Sequence, residues 1–212
     1  MNPIKKFLKP YYHWLIRLSK WKRRIGLHCT DFTIISNNSS AGYVYQYYGI
    51  PYRTPTEGIG FSVDDYMKII RNPKHYFTAK LEFVKPETTE RYKNGEHFIY
   101  PAAKIDDITV YFRHYPTKEE AEQKWIRRCS RMNFNKMFFL LTESETMREE
   151  HLIEFSKYIQ DKGQKGMLLT IKDSGMLNVM TVPNVPVENN VIMWMPNIVV
   201  HTLDWKKILN NL

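Results

Sequence analysis

The chain has 212 residues, 43% of them hydrophobic, which is enough for one sizeable core, so a single domain is the expectation. Its only two cysteines, Cys29 and Cys129, exclude a disulfide framework and a four-thiolate zinc site. No segment has the length and hydropathy of a membrane span, and no signal-peptide pattern follows the charged N-terminus. The composition therefore predicts an intracellular protein with reduced thiols.

The net charge of +9 lies almost entirely in the first 30 residues. Eight of the 31 basic residues are there with no acidic residue before Asp31, so the remaining 23 nearly balance the 22 acidic residues. A nucleic-acid-binding domain more often spreads positive charge over its folded body. We therefore expect no nucleic-acid partner.

Residues 1–30 predict a basic amphipathic helical segment, followed by a single α/β domain over 31–212. Pro10 is expected to kink or restart the helix. Basic residues beside a Trp-bearing apolar stripe are typical of a helix on an anionic membrane, which predicts a cytoplasmic protein held peripherally on the inner membrane. The alternative is a stripe that docks onto the protein's own core. The stripe contains Ile4, Leu8, Tyr11, Leu15 and Leu18, with Phe7, Trp14 and Trp21 beside it.

The domain opens with an apolar, β-branched run that predicts a buried strand over residues 31–36. Small polar residues follow, and then a short helix over 43–48 that ends at Gly49. A Pro/Gly-rich loop continues to residue 60, and Ser62 is placed to cap the next helix. Asn94-Gly95 predicts the turn of an inserted antiparallel hairpin.

Three further strands are predicted over 107–115, 136–142 and 166–172. Helices between them are predicted from two capping-box patterns, Thr117–Glu120 and Thr146–Glu149. One or two more strands are expected within 191–201. Short turns between alternating strands and helices force right-handed crossovers, so the fold class is α/β, three-layer, with a mainly parallel sheet and the inserted antiparallel hairpin.

Ligands of such sheets bind beyond the carboxyl ends of the strands, and small polar or ionisable residues follow each predicted strand. We therefore expect one cleft at that edge of the sheet. Its expected lining is Ser36, Asn37, Asn38, Ser39, His114, Glu143 and Asp173.

Several motifs between about Asp31 and Lys172 resemble a bacterial family known as exopolysaccharide or capsular-polysaccharide biosynthesis proteins, whose biochemical activity is undetermined. The usual turn of that family is Ser-Asn-Asn-Cys-Trp-Gly-Gly, and here Ser39 stands in place of the cysteine. The resemblance implies a pathway rather than a reaction. The matching residues are Ser36-Asn37-Asn38, Gly42, Gly49-Ile50-Pro51-Tyr52, Thr54-Pro55, Tyr100-Pro101, Lys104, Asp107, Phe112-x-His114-Tyr115, Glu120-Ala121, Trp125 and Arg127-Arg128.

Three residues are the catalytic candidates. Asn38, like Asn37, can donate to and accept from sugar hydroxyls or an oxyanion, although Asn also caps helices. Ser39 could be a nucleophile if a base such as His114 lies within hydrogen-bond reach, and the alternative is a hydroxyl that caps the helix. His114 could equally be a satisfied residue at the end of a strand.

The candidate substrate-binding residues are Ser36, Asn37, Tyr52, Arg127, Arg128, Glu143 and Asp173. Arginines at the end of a helix would suit a diphosphate or an acidic sugar, but cations there are also ordinary partners of the helix dipole. Glu143, Glu145 and Asp173 could be general bases, but acidic residues after a strand are more often caps and partners of the helix dipole. No metal-ligand spacing or phosphate-binding loop is present, so we expect no metal and no cofactor.

These observations together predict a protein of surface-polysaccharide assembly that transfers a sugar or acyl group to a glycan intermediate. The expected partners are a glycan, nucleotide-sugar or lipid-linked sugar substrate, and an anionic membrane surface bound through residues 1–30. The alternative is a non-catalytic glycan-binding or scaffold protein of the same machinery, which the missing thiol favours.

Overall fold

A computed structural model describes residues 3–212, with side chains from residue 12 onward. The helices are α1 (Pro3–Arg24), α2 (Ser40–Tyr48), α3 (Val63–Arg71), α4 (Pro73–Thr78), α5 (Glu90–Lys93), α6 (Lys118–Cys129), α7 (Glu149–Asp161), α8 (Pro196–Thr202) and α9 (Trp205–Asn210), and a 3-10 turn covers Pro86–Thr88. The strands are β1 (Thr33–Ser36), β2 (Glu82–Val84), β3 (Ala102–Ile105), β4 (Ile108–Tyr111), β5 (Met137–Thr142), β6 (Gly166–Thr170), β7 (Val179–Thr181), β8 (Val187–Glu188) and β9 (Val191–Ile192).

The central sheet contains four parallel strands in the order β1-β5-β6-β7. Three of them confirm the strands predicted near residues 31–36, 136–142 and 166–172. In the register, Ser36 lies opposite Leu140, and Thr142 lies opposite Leu169. The carboxyl ends of β1, β5 and β6 therefore meet at one edge of the sheet.

Each face of the sheet is covered by its own core, because side chains alternate along β1 and β5. Ile35 and Phe139 join the cluster built with α3, α6 and α7, while Ile34 and Phe138 join the cluster built with α2, α8 and α9. The predicted three-layer α/β architecture is confirmed. The large buried side chains are Tyr66, Trp125 and Phe155 on the first face and Tyr45, Val199 and Trp205 on the second.

The strand predicted over 107–115 forms, but it lies outside the parallel sheet. β4 ends at Tyr111 and pairs antiparallel with β3, which in turn pairs with β2. The connection from β3 to β4 is only the two-residue turn after Ile105, which permits an antiparallel hairpin and no crossover. Asp106 has a φ of 54° in this turn. The prediction that this strand is part of the parallel sheet was wrong.

The hairpin turn predicted at Asn94-Gly95 was also wrong. These residues end α5, where the Gly95 N–H donates to the Tyr92 carbonyl at 3.0 Å and Gly95 has a φ of 93°. A left-handed glycine serves a helix C-terminus as well as it serves a hairpin. The inserted antiparallel hairpin exists, but it is β3–β4.

Two predictions nearer the C-terminus need correction. The run Ile198–His201, expected as strand, lies within α8, which Pro196 opens at a position that favours proline. The helix expected at Thr146 begins later, at Glu149, where the Arg148 N–H donates to His151 Nδ1 at 3.1 Å. The edge strand β7 was not predicted.

Helix α1 is continuous through Pro10 and packs against α2. Arg23 Nη1 donates to the Tyr47 carbonyl at 3.2 Å, and its guanidinium lies 4.3 Å from the centre of the Tyr47 ring. Among the helices described, none is long and apolar enough to cross a membrane. The side chains of Ile4, Leu8 and Tyr11 in the predicted stripe lie outside the described residues.

Candidate functional site at the carboxyl edge of the sheet

The turn after β1 begins with a buried hydroxyl that holds the chain in place. Ser36 Oγ donates to the Asn38 carbonyl and accepts the Ala41 N–H at 3.0 Å. The Ser36 N–H donates to Thr56 Oγ1 at 3.3 Å. Ser36, predicted to bind substrate, instead joins the turn, the start of α2 and the loop over 49–60.

Asn37 fastens this turn to the neighbouring strand. Its Nδ2 donates to the Thr142 carbonyl at 2.9 Å, and its Oδ1 accepts the Thr142 N–H at 3.1 Å. The side chain replaces ladder hydrogen bonds just where β1 and β5 diverge. Asn37 is 5% exposed, so little of it is open to a ligand.

Asn38 has both a structural and an accessible side. Its Oδ1 accepts the Ser40 N–H at 3.0 Å, and its Nδ2 donates to Thr142 Oγ1 at 2.8 Å. These are the capping contacts that formed the alternative to a functional role. The amide is nevertheless half-buried and lines the cleft described below, and it retains one N–H and one lone pair for a ligand.

Ser39 lies at the N-cap of α2, where its Oγ accepts the Gly58 N–H at 3.1 Å. Within the described part of the chain, no hydrogen bond joins Ser39 to His114. The hydroxyl therefore lacks the base contact that a nucleophile needs in this arrangement, and it holds the loop that contains Gly58.

The start of α2 does not offer open N–H groups to an anion. The Ser40 N–H donates to Asn38 Oδ1, and the Ala41 N–H donates to Ser36 Oγ. The third N–H of the helix donates to a backbone carbonyl in the turn. Because these donors are satisfied internally, ligand recognition here falls to side chains around the turn.

His114 and Arg113 approach this turn from the second sheet. Both are exposed and lie in the turn after β4, and the His114 N–H donates to the Gly58 carbonyl at 3.1 Å. His114 thus reaches the predicted position next to Asn38 and Ser39 through a different sheet from the one expected.

The resulting surface, which we call the edge cleft, consists of two adjoining hollows, one of them of about 310 Å³. Both hollows contain Asn38, Arg113 and Trp194. Mixed charge along the wall means that the cleft is neither a purely anionic nor a purely cationic site. The edge cleft is lined by Asn38, Ser39, Arg113, His114, Glu143, Glu145 and Trp194.

Glu143 is the buried acid of this edge. Its Oε2 accepts the Thr170 hydroxyl at 2.6 Å and the Ile171 N–H at 2.8 Å, and its Oε1 lies 3.5 Å from Lys172 Nζ. Asp173 lines a further hollow on the other side of Glu143, beside Lys172. Glu143 therefore joins the edge cleft, whereas Asp173 is adjacent to it.

The other predicted substrate-binding residues lie away from the edge cleft. Arg128 is 8% exposed, donates to the Glu57 carbonyl at 2.6 Å, and lies 5.2 Å from the centre of the Tyr52 ring. Arg127 is exposed on α6 and lines none of these hollows. Arg128 contacts Tyr52 and the Glu57 carbonyl, both within the loop over 49–60, and so holds this loop in place.

Glu57 belongs to the same loop, and its carboxylate packs against α2. Its Oε2 is buried without a hydrogen-bond partner among the described residues, and the side chain packs against Gly42 of α2. Burial raises the pKa of the Glu57 carboxyl, and the charge of Arg128 opposes this rise. A side chain at position 42 would collide with this carboxylate, which explains the glycine.

Sequence reasoning missed two members of the edge cleft, Arg113 and Trp194. Arg113 adjoins His114 in the motif and could have been included for that reason. Trp194 lies in an apolar run read as strand, and its Nε1 donates to the Glu143 carbonyl at 2.7 Å. The described residues include no group of three His, Cys, Asp or Glu side chains placed to hold a metal ion.

Comparison with known proteins gives a family. A Haemophilus influenzae protein described as uncharacterized is 27% identical over 125 residues, and this chain spans 56% of that relative's length. The aligned part is 59% of the present chain. A family model described as a domain of unknown function, DUF1919, matches residues 13–160, which include β1, the turn after it, His114 and β5. The chain therefore belongs to the DUF1919 family.

Proposed function

We propose that this protein acts in the biosynthesis of a bacterial exo- or capsular polysaccharide, where it binds a glycan intermediate in the edge cleft and transfers a sugar or acyl group to it. The observation that carries the proposal is the convergence of Asn38, Arg113, His114 and Glu145 on one cleft at the carboxyl edge of the sheet. The motif resemblance described above supports the choice of pathway.

The chemistry of the cleft suits sugar hydroxyls. Each hydroxyl donates one hydrogen bond and accepts others, so a sugar is best held by groups that together do both. Asn38 offers an amide donor and acceptor, Arg113 offers several donors in a plane, and Glu145 offers acceptors. Trp194 adds an aromatic side chain to the lining of the cleft.

His114 is the candidate general base. In the proposed step it accepts the proton of an acceptor hydroxyl while that oxygen bonds to the transferred carbon, and the leaving group departs with the electron pair of its bond. The donor is a nucleotide-sugar, a lipid-linked sugar or an activated acyl group. Because Ser39 Oγ is engaged with Gly58, the step proceeds without a covalent intermediate on Ser39.

A second candidate is a glycan-binding protein of the same machinery that performs no transfer. The engagement of Ser36, Asn37 and Ser39 in structural hydrogen bonds favours this candidate. Binding of a glycan requires Asn38 and Arg113, whereas transfer also requires His114. Replacement of His114 therefore distinguishes the two candidate functions.

The test measures polymer yield in a strain that lacks the gene and is complemented with variants. We expect His114→Ala and Asn38→Ala to abolish the polymer, and Ser39→Ala to lower it only in part. His28→Ala is the matched control, because His28 is exposed and lies outside the edge cleft. Since His114 is exposed, its replacement should change the free energy of unfolding by no more than about 0.5 kcal/mol.

Binding of an oligosaccharide repeat of the polymer, measured by calorimetry, completes the test. Retained binding with no polymer in His114→Ala supports transfer, while normal polymer in that variant leaves only the binding role. Loss of polymer in Ser39→Ala with recovery in Ser39→Cys would contradict the direct step, because a thiol restores only nucleophilic chemistry. No binding by the unaltered protein rejects both candidates.

A further inference from the structure

Helix α1 has two faces with different surroundings. On the inner face, Arg23 contacts Tyr47, and the aliphatic part of Lys20 packs against Gly49. On the outer face two large apolar side chains are more than half exposed: Trp14 and Trp21 are each 55% exposed. The helix therefore already docks on the protein, but not through its aromatic side.

Four of the exposed or partly exposed apolar side chains of this segment form one continuous stripe. Trp14, Leu18, Trp21 and Ile25 are separated by four, three and four residues, which places them on the same face of a helix and of the turn that follows it. Ile25 is 58% exposed and Leu18 is partly exposed. We call this surface the outer stripe.

Basic residues flank the outer stripe on both sides. With successive residues about 100° apart, Arg17 and Arg24 lie along one border and Lys22 along the other. No acidic residue occurs before Asp31 in the sequence, and within the described residues no ion pair involves Arg17, Lys22 or Arg24. The outer stripe is thus apolar in the centre and purely cationic at its borders.

We propose that the outer stripe is a docking surface for an anionic lipid membrane, with α1 lying flat in the interface. Tryptophans sit at the level of lipid headgroups, and adjacent Lys and Arg side chains gain from anionic lipids. The inner face holds the folded body through α2, so the attachment is peripheral. This inference does not depend on the proposed polysaccharide role.

Two other occupants fit the outer stripe less well. A second copy of the chain would bring the same cationic borders together, and like charges at that distance oppose association. A nucleic acid would match the charge, but it would leave the aliphatic Leu18 and Ile25 without an apolar partner. Only an anionic lipid surface satisfies both the stripe and its borders.

Intrinsic fluorescence reports directly on this surface. Of the five tryptophans, Trp125, Trp194 and Trp205 are buried, so a change in emission on membrane contact originates in Trp14 and Trp21. We expect the full chain to sediment with phosphatidylglycerol-containing vesicles and its emission to shift to shorter wavelength. Vesicles of phosphatidylcholine alone should bind much more weakly.

Two sets of variants separate the apolar contribution to vesicle binding from the electrostatic contribution. Trp14→Ser with Trp21→Ser should weaken vesicle binding at least tenfold. Arg17→Glu, Lys22→Glu and Arg24→Glu together should weaken it by at least about 100-fold, because each basic residue near an anionic surface is worth about fivefold. The matched controls are Ile126→Ser with Ile153→Ser, which remove two exposed apolar side chains elsewhere, and Lys157→Glu, Lys162→Glu and Lys165→Glu, which change the net charge equally.

The controls should bind as the unaltered protein does, and circular dichroism should show that all variants are folded. Equal loss in the controls, or full binding by either α1 variant, overturns the proposal. A dimer in solution that dissociates in the Trp variant without any vesicle binding assigns the outer stripe to a second copy. Binding of duplex DNA but not of vesicles assigns it to nucleic acid.

Discussion

The edge cleft has a buried floor and an exposed rim, and both carry similar polar side chains. The floor, which we define as Ser36, Asn37, Thr56 and Thr142, is buried, and its polar atoms are used in hydrogen bonds between β1, β5 and the loop over 49–60. The rim, defined as Asn38, Ser39, Arg113 and His114, is partly or largely exposed. Adjacent residues of a single motif are thus divided between a buried set that holds the edge together and an exposed set that is open to solvent.

This difference has a physical cause. A buried polar group without a partner costs about 1–3 kcal/mol, so every polar side chain in the floor must be bonded within the protein. At the exposed rim, water can be the hydrogen-bond partner of a polar side chain, so internal partners are not required. Stability should therefore depend on the floor and on the packing behind it more than on the rim, and the following substitutions test this expectation.

The largest effect is expected within the Asn37-Asn38 pair. Asn37→Ala leaves the buried N–H and carbonyl of Thr142 without partners and should reduce the free energy of unfolding by about 3 kcal/mol. Asn38→Ala loses half-buried contacts that water can replace and should cost about 1 kcal/mol. Urea unfolding of both variants checks the difference, and equal losses would show that floor and rim are energetically alike.

The next effect concerns the glycine behind the floor. Alanine normally stabilises a helix by about 1 kcal/mol relative to glycine. In Gly42→Ala, however, the new Cβ would lie 1.4 Å from Glu57 Oε2, so we expect a loss of about 1–3 kcal/mol as Glu57 is displaced. Thermal unfolding should detect it.

Because the collision is between position 42 and Glu57, a second substitution at Glu57 should relieve it. Glu57→Ala removes the obstructing carboxylate, so Gly42→Ala should cost much less in that background than alone. Additive losses in the double variant would mean that position 42 requires glycine for a reason other than Glu57.

The smallest effect is a pH dependence of stability. Burial raises the pKa of Glu57 in the folded state, so its contribution to stability is fully present below the ordinary pKa of 4.5 and is lost as the pH rises through the higher folded-state value. Glu57→Gln imitates the protonated acid. It should therefore unfold at a higher temperature than the unaltered protein at pH 7, and the difference should disappear near pH 4.

Glu188→Gln is the matched control for this pH series, because Glu188 is exposed on β8. If Glu57→Gln lowers the midpoint at pH 7, attraction between the ionised Glu57 and Arg128 outweighs the cost of burial. That result would reverse the direction of the Glu57 pKa shift.

The sequence sufficed for three of the four parallel strands because their signal is local. β1, β5 and β6 are short apolar runs bounded by polar turns, and such runs form strands in any layered α/β fold. The strand with which a given strand pairs, in contrast, cannot be identified from the residues of that strand alone. β4 has the same pattern, but the two-residue connection to β3 determined its sheet. Asn94-Gly95 likewise fits a hairpin turn and a helix end equally well.

The candidate site shows the same limit. The sequence motifs predicted that Asn38, Ser39 and His114 lie at one cleft, as they do in the structure. The motifs did not distinguish the role of Asn37 from that of Asn38. That separation depends on which amide is buried against the main chain of Thr142 after β1 and β5 have paired. Trp194 was missed because its contact with Glu143 joins residues 51 apart in the sequence.

The hydrogen bond from Trp194 to Glu143 makes the edge cleft a composite of two parts of the chain. The side with Asn38, Ser39, Arg113 and His114 lies within the part matched by the family model, while Trp194 lies beyond it. Under the proposed function, a ligand in the cleft would contact both the shared domain and the C-terminal segment. Under the proposed function, exchange of residues 186–195, which include Trp194 but not His114, would test the selectivity of the cleft separately from transfer.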